Sequence, residues 1–177
     1  MEIHCNREKV RIIPFLVAFL FAIGLLAQKP VENAGEPLYK ETPQLFQSGR
    51  LYYIDRAQTR LYTGDYREYH DNGTLKLEMQ LRNGQPEGTY IVYYENRKPK
   101  EIRSYKEGKL HGLWRSYDPS GQLISEAEYR NGLKHGTWRI WDELGNLRYE
   151  MNYRDSKKVG NWRMWNERGE LVDEKQY

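Results

Sequence analysis

Residues 112–135 read Gly112-Leu113-Trp114-Arg115-Ser116-Tyr117-Asp118-Pro119-Ser120-Gly121-Gln122-Leu123-Ile124-Ser125-Glu126-Ala127-Glu128-Tyr129-Arg130-Asn131-Gly132-Leu133-Lys134-His135. The stretch is a hairpin in its chemistry. Trp114 and Tyr117 lie in a short aromatic run of the kind that strands favour. Asp118-Pro119-Ser120-Gly121 is a turn, because proline presets φ at its second position and glycine permits φ > 0 at its end. Gln122 to Tyr129 forms the second strand. Arg130-Asn131-Gly132-Leu133 then leads onward, and Asn-Gly is the strongest short hairpin signal. A helix is excluded, since Gly or Pro interrupts every stretch of about ten residues.

The same unit recurs outward from here. Gly64, Gly88, Gly112, Gly136 and Gly160 stand 24 residues apart. Two residues after each comes an aromatic: Tyr66, Tyr90, Trp114, Trp138, Trp162. Five after comes another: Tyr69, Tyr93, Tyr117, Trp141, Trp165. Seventeen after stand Leu81, Tyr105, Tyr129, Tyr153 and Tyr177. Nine and eleven after, glycine and leucine repeat, except in the second copy, where Arg97 and Pro99 interrupt them. A unit copied at a fixed period stacks on its neighbours, because none buries its apolar face alone. The expected fold is therefore all-β: an elongated antiparallel meander of about five stacked 24-residue hairpins. Ten strands at about 4.8 Å each would make a sheet of roughly 50 Å.

Strand parity assigns the faces. If Tyr117 pairs with Gln122, then Trp114, Ser116, Leu123, Ser125, Ala127 and Tyr129 share one face. Arg115, Tyr117, Ile124, Glu126 and Glu128 share the other, with Arg115 and Glu126 as diagonal neighbours. One bulge near the turn would swap these assignments locally.

Gly112-Leu113-Trp114, Tyr117, Gly121, Leu123, Glu126, Tyr129, Asn131-Gly132 and His135 together resemble the MORN repeat (membrane occupation and recognition nexus) in its bacterial MORN-2 variant form. The resemblance covers residues 50–177. It specifies fold more than function. Many bacterial members carry the label YwqK-family antitoxin, which would imply binding to a toxin.

The chain has 177 residues, 38% of them hydrophobic and 14% aromatic, and its mean hydropathy of −0.94 is low for a thick core. A thin sheet held by aromatic rows fits that balance. Arg7, Lys9 and Arg11 precede an apolar run, Ile12–Ala27, of sixteen residues. Basic, then apolar, then a small residue is the layout of a secretory signal cleaved after Ala27. An uncleaved anchor is the alternative, although sixteen residues fall short of the roughly 20 that span a bilayer. Either layout predicts a repeat domain outside the cytoplasm: periplasmic, in the cell envelope or secreted. Residues 28–49 contain Pro30, Pro37 and Pro43 and read as a linker. Gly49 and Leu51 look like a half-repeat whose strand, near Leu51–Asp55, caps the array. Cys5 is the sole cysteine, so beyond residue 27 no disulfide or thiolate metal site is available. Without residues 1–27 the chain carries 25 basic and 23 acidic residues, not a nucleic-acid profile.

The candidate sites are columns of the repeat. Arg67, Arg115, Arg139 and Arg163 form one row; Glu78, Glu126, Glu150 and Glu174 form another. Both rows skip the second copy. An ion-pair ladder is the favoured reading, against a basic strip for an anionic partner. The first aromatic column reads as packing, so that Trp138→Ala costs about 3–5 kcal/mol. The second column is the candidate partner surface: Tyr117, Trp141 and Trp165, beside Arg115, Arg139 and Arg163. His111 and His135 start about 9–10 Å apart, too far for one metal, and read as turn residues. No catalytic motif or cofactor loop is present. The irregular run Arg97-Lys98-Pro99-Lys100-Glu101 reads as a broken turn. The expected function is a monomeric, non-enzymatic, exported module that binds a protein, as a scaffold or antitoxin does. A cell-envelope glycan or a lipid headgroup is the alternative ligand.

Overall fold

The computed structural model describes residues 43–177. The expected signal segment, and the linker up to residue 42, lie outside the described residues. Two short strands come first, β1 (Phe46–Ser48) and β2 (Leu51–Tyr53). The array follows as β3 (Gly64–Tyr69), β4 (Leu75–Arg82), β5 (Gln85–Tyr93), β6 (Pro99–Lys106), β7 (Lys109–Tyr117) and β8 (Leu123–Arg130). It continues through β9 (Leu133–Trp141), β10 (Leu147–Arg154), β11 (Lys157–Lys158), β12 (Asn161–Trp165) and β13 (Leu171–Gln176). These last eleven strands form one open antiparallel meander. Five copies of the hairpin are all in place. Among the described residues there is no helix.

Two devices explain the period. Between repeats, the turns carry positive φ at both central residues: Asn83 and Gly84, Glu107 and Gly108, Asn131 and Gly132, Asp155 and Ser156. A type I′ hairpin needs that pair, which is why Asn-Gly recurs. The periodic glycine itself lies in a second irregularity. Register slips where Glu126 faces Arg139 but Glu128 faces His135, and Gly136 in that slip has φ +60. Gly112 has φ +99, and a Cβ there would come within 3.3 Å of Ser104 Cβ. Glycine marks the period because the backbone bulges there.

Each hairpin also bulges near its own turn. Tyr117 pairs with Leu123, not Gln122, and Ile124 is the extra residue. Leu123 therefore stands opposite Tyr117 on the charged side, and the expected assignments of Leu123 and Ile124 are reversed. Arg115 and Glu126 are direct partners rather than diagonal ones. The second copy is not broken either. Arg97 takes φ +68, the conformation of Gly121 at φ +92 in the next copy. Its N–H donates to the Tyr94 carbonyl at 2.9 Å, as that of Gly121 does to Asp118. Pro99 pairs with Tyr93.

Phe46–Ser48, expected as the end of the linker, pairs with Leu51–Tyr53 in a separate two-stranded sheet. The cap strand thus exists but does not extend the array. It lies against one face of β4, tied by Tyr52 N–H to the Gly84 carbonyl and Gly84 N–H to the Tyr62 carbonyl. Leu77, Met79 and Leu81 are the buried core, packed by Leu45, Tyr52, Tyr62, Tyr66, Tyr90 and Val92.

Candidate functional site

The two faces of the sheet carry different chemistry. On one, the first aromatic column and the tyrosine column interleave into a continuous stack. Ring centroids lie 5.9 Å apart for Trp114–Tyr129. Each further step is 5.1 Å: Tyr129–Trp138, Trp138–Tyr153, Tyr153–Trp162 and Trp162–Tyr177. The pairs are tilted or edge-on, the arrangement the ring quadrupole prefers, worth about 0.5–1.5 kcal/mol each beyond burial. The register slip at the repeat glycine serves this stack, for the Trp138 indole N–H donates to the Glu128 carbonyl at 3.0 Å. Trp162 repeats the bond to Asn152 at 3.0 Å. Packing is thus the role of the first column.

Cations lie over the rings. Lys134 Nζ is 4.5 Å from the Trp138 centroid and Lys158 Nζ 4.1 Å from that of Trp162. Arg103 Cζ lies 4.4 Å from the Trp114 ring and 5.1 Å from Tyr90, and Glu101 pairs with its guanidinium. Each contact adds about 0.5–1 kcal/mol where water still reaches it. These three cations were not singled out from sequence. A lysine recurring two residues before the glycine, at Lys134 and Lys158, was the available signal.

The opposite face carries the ion-pair ladder. Arg115 Nε is 2.7 Å from Glu126, Arg139 Nε 3.0 Å from Glu150, and Arg163 Nε 2.9 Å from Glu174. Links between repeats join these pairs: Arg139 to Glu126 at 3.9 Å and Arg163 to Glu150 at 3.5 Å. At the skipped copy, Ile91 stands opposite Ile102, and Arg67–Glu78 resumes the row beyond it at 3.6 Å. The three candidate arginines are therefore each bound to a glutamate. Tyr117, Trp141 and Trp165 are half-buried beside them, opposite Leu123, Leu147 and Leu171. Tyr93, in the same column, donates to Glu78 at 2.6 Å. Burial and that bond push its hydroxyl up to about 12. The histidines meet the turns of their own repeats, His111 Nδ1 3.1 Å from Asn131 Oδ1 and His135 Nδ1 3.8 Å from Asp155. Among the described residues no cluster of metal-ligating side chains occurs.

What sequence did not disclose is that the aromatic face is covered unevenly. Leu77, beneath the β1–β2 hairpin, is 8% exposed. Tyr149, at the equivalent position three repeats on, is 40% exposed. It stands between Ile140 and Met164 across neighbouring strands, and Ile140 is 39% exposed. Among the described residues no hairpin lies over this end, where Lys158 reaches over Trp162 and Tyr177. Met151, Trp162, Met164 and Tyr177 line a cleft of about 320 Å³ beside Tyr149.

The sequence profile of the MORN repeat variant matches residues 62–83, 86–107, 110–131 and 134–155. Each matched stretch starts two residues before a repeat glycine and ends within a type I′ turn. None of the curated proteins matches the chain. Among solved structures, a chain in the crystal structure of accessory secretory protein 1, 2 and 3 in Streptococcus pneumoniae is similar at 12% identity with a TM-score of 0.34, covering 67% of this chain and 22% of that chain. The chain spans about a fifth of that one's length, and a likeness this slight carries no argument.

Proposed function

The chain belongs to the MORN repeat variant family, and from that premise we propose that it is a non-enzymatic repeat module that docks a protein partner on the uncovered end of its aromatic face. The observation that carries this reading is the contrast between Leu77 and Tyr149, 8% and 40% exposed on one row of one sheet. At one end the chain covers the row with its own hairpin. At the other, Ile140, Tyr149 and Met164 offer the same kind of apolar surface to water, the composition expected of an interface centre. The layout of residues 1–27 supports an exported protein. Toxin neutralisation is one form of protein docking, but a cytoplasmic antitoxin pair sits poorly with that layout.

A photo-crosslinking residue at Tyr149 tests the reading. In envelope extract it should capture one defined protein, and a Tyr149→Lys change that leaves the thermal melt intact should abolish capture by a crosslinker at Ile140. A peptidoglycan or glycan-array signal that vanishes in the Trp141→Ala/Trp165→Ala double variant would sink it in favour of a glycan platform.

A further inference from the structure

The two long edges of the sheet carry opposite charge. Along one run the type I′ turns Arg82–Gln85, Lys106–Lys109, Arg130–Leu133 and Arg154–Lys157. They hold six basic residues against two acidic ones, Glu107 and Asp155. Along the other run the five turns within repeats, residues 70–74, 94–98, 118–122, 142–146 and 166–170, with seven acidic residues against three basic. Strands of eight or nine residues separate the edges by about 27 Å, well beyond the roughly 8 Å screening length at physiological salt. A ligand at one edge therefore barely feels the other.

The edges also differ in how far their charges are already engaged. On the acidic edge, Asp118 and Asp142 accept hydrogen bonds from their own turns, from Gln122 N–H and Asn146 N–H at 2.9 Å. On the basic edge, Arg82, Lys106, Lys109, Arg130, Arg154 and Lys157 are all exposed. Among the described residues none of the six has a carboxylate within ion-pair distance. Arg82, Lys106, Arg130 and Arg154 recur every 24 residues at the ends of alternate strands. Their backbones are thus about 10 Å apart, twice the strand spacing. The result is a row of exposed cations, none ion-paired among the described residues, at a regular backbone spacing.

We propose that this basic edge binds a linear acidic glycan bearing one carboxylate per disaccharide. A β-linked disaccharide advances by about 10 Å, close to the backbone spacing of one repeat to the next, so successive carboxylates fall in step with successive Arg or Lys along the edge. The pairs are exposed and individually weak, and affinity comes from multivalency along the row. This site is distinct from the aromatic-face docking, since it follows the turns between repeats, whereas Tyr149 stands on a face of the sheet near the 142–146 turn at the opposite edge. A densely charged polyphosphate or nucleic acid offers more charge but the wrong spacing.

The test is binding of the full chain to immobilised hyaluronan, with carboxyl-reduced hyaluronan, polyphosphate and single-stranded DNA as competitors. Hyaluronan should bind and the reduced polymer should not compete. A Lys106→Gln/Arg130→Gln/Arg154→Gln variant with an unchanged melt should lose at least tenfold in affinity, and its binding should depend less steeply on salt. An Asp71→Asn/Glu95→Gln variant of the opposite edge should bind as before. Absence of hyaluronan binding, equal binding by the triple variant, or competition by DNA or polyphosphate at equal or lower charge concentration overturns the proposal.

Discussion

Arg139 stands directly opposite Glu150 across β9 and β10, its Nε 3.0 Å from Oε2. Glu150 also reaches Arg163 at 3.5 Å, so one carboxylate joins two repeats. Glu150→Gln removes the charge from both links while leaving the shape. The expected loss is about 1 kcal/mol, with an Arg139–Glu150 coupling of about 0.5 kcal/mol in a double-variant cycle. Raising salt to 1 M should shrink the coupling. A coupling that does not respond to salt would contradict the ladder's electrostatic character.

Arg97 pays a backbone penalty that its counterparts do not. It holds φ +68 where Gly73, Gly121, Gly145 and Gly169 stand in the other copies. A left-handed non-glycine residue costs about 1–2 kcal/mol, part of which glycine returns as unfolded-chain entropy. Arg97→Gly should therefore raise stability by about 0.5–1 kcal/mol, seen as a higher urea midpoint at unchanged m-value. A lower midpoint would mean that the Arg97 side chain makes a contact outweighing the strain.

Met79 holds the hairpin on the array. It is 3% exposed, in the cluster against which Tyr52 and Tyr62 pack. Met79→Ala should cost about 3 kcal/mol. The loss should be local at first, since Tyr52 and Gly84 tie the hairpin to the β4–β5 turn. Amide exchange should speed up at those two residues before it does in β9 and β10. Uniform acceleration along all repeats would show instead that the array unfolds as one unit.

Acid should weaken the turns within repeats. Hydrogen bonds, foremost the Asn146 backbone N–H, hold the Asp142 carboxyl below its ordinary 3.8. The Ser120 hydroxyl and the Gln122 N–H do the same for Asp118. A carboxyl lowered on folding contributes stability that is full above its unfolded value and is lost as pH falls through its folded value. The loss should therefore appear below about pH 4. Asn166 makes the same backbone contacts in the fifth copy, accepting from Glu170 N–H at 3.0 Å. An Asp118→Asn/Asp142→Asn variant should thus keep the fold and show a shallower loss of stability between pH 4 and 2 in urea titrations at each pH. An unchanged acid limb would place the sensitive groups elsewhere.

The hairpins were legible in the chain because their causes are local. Asn131-Gly132 and Asp118-Pro119-Ser120-Gly121 specify turns through the φ each residue tolerates, and the 24-residue period multiplies a single reading. The pairing of Arg115 with Glu126 was half legible: the face followed from parity, but the direct register depended on a bulge at Ile124 that no residue type announces. The second copy misled for the opposite reason. Arg97 is an unfavourable turn residue, yet hairpins on either side of it hold the backbone in place, and neighbouring strands outweigh about 1 kcal/mol of local strain.

The sequence by itself determined the unit, its number and the interleaving of its aromatics, because these rest on backbone preferences and strand alternation within about twenty residues. Only the tertiary structure decided which end of the aromatic face is free. Leu77 and Tyr149 occupy the same repeat position, and nothing in the repeat distinguishes them. They differ because a hairpin from outside the period, Phe46–Tyr53, folds back over the first and stops short of the second. Burial depends on what lies across space, and a periodic sequence gives every copy the same neighbours along the chain.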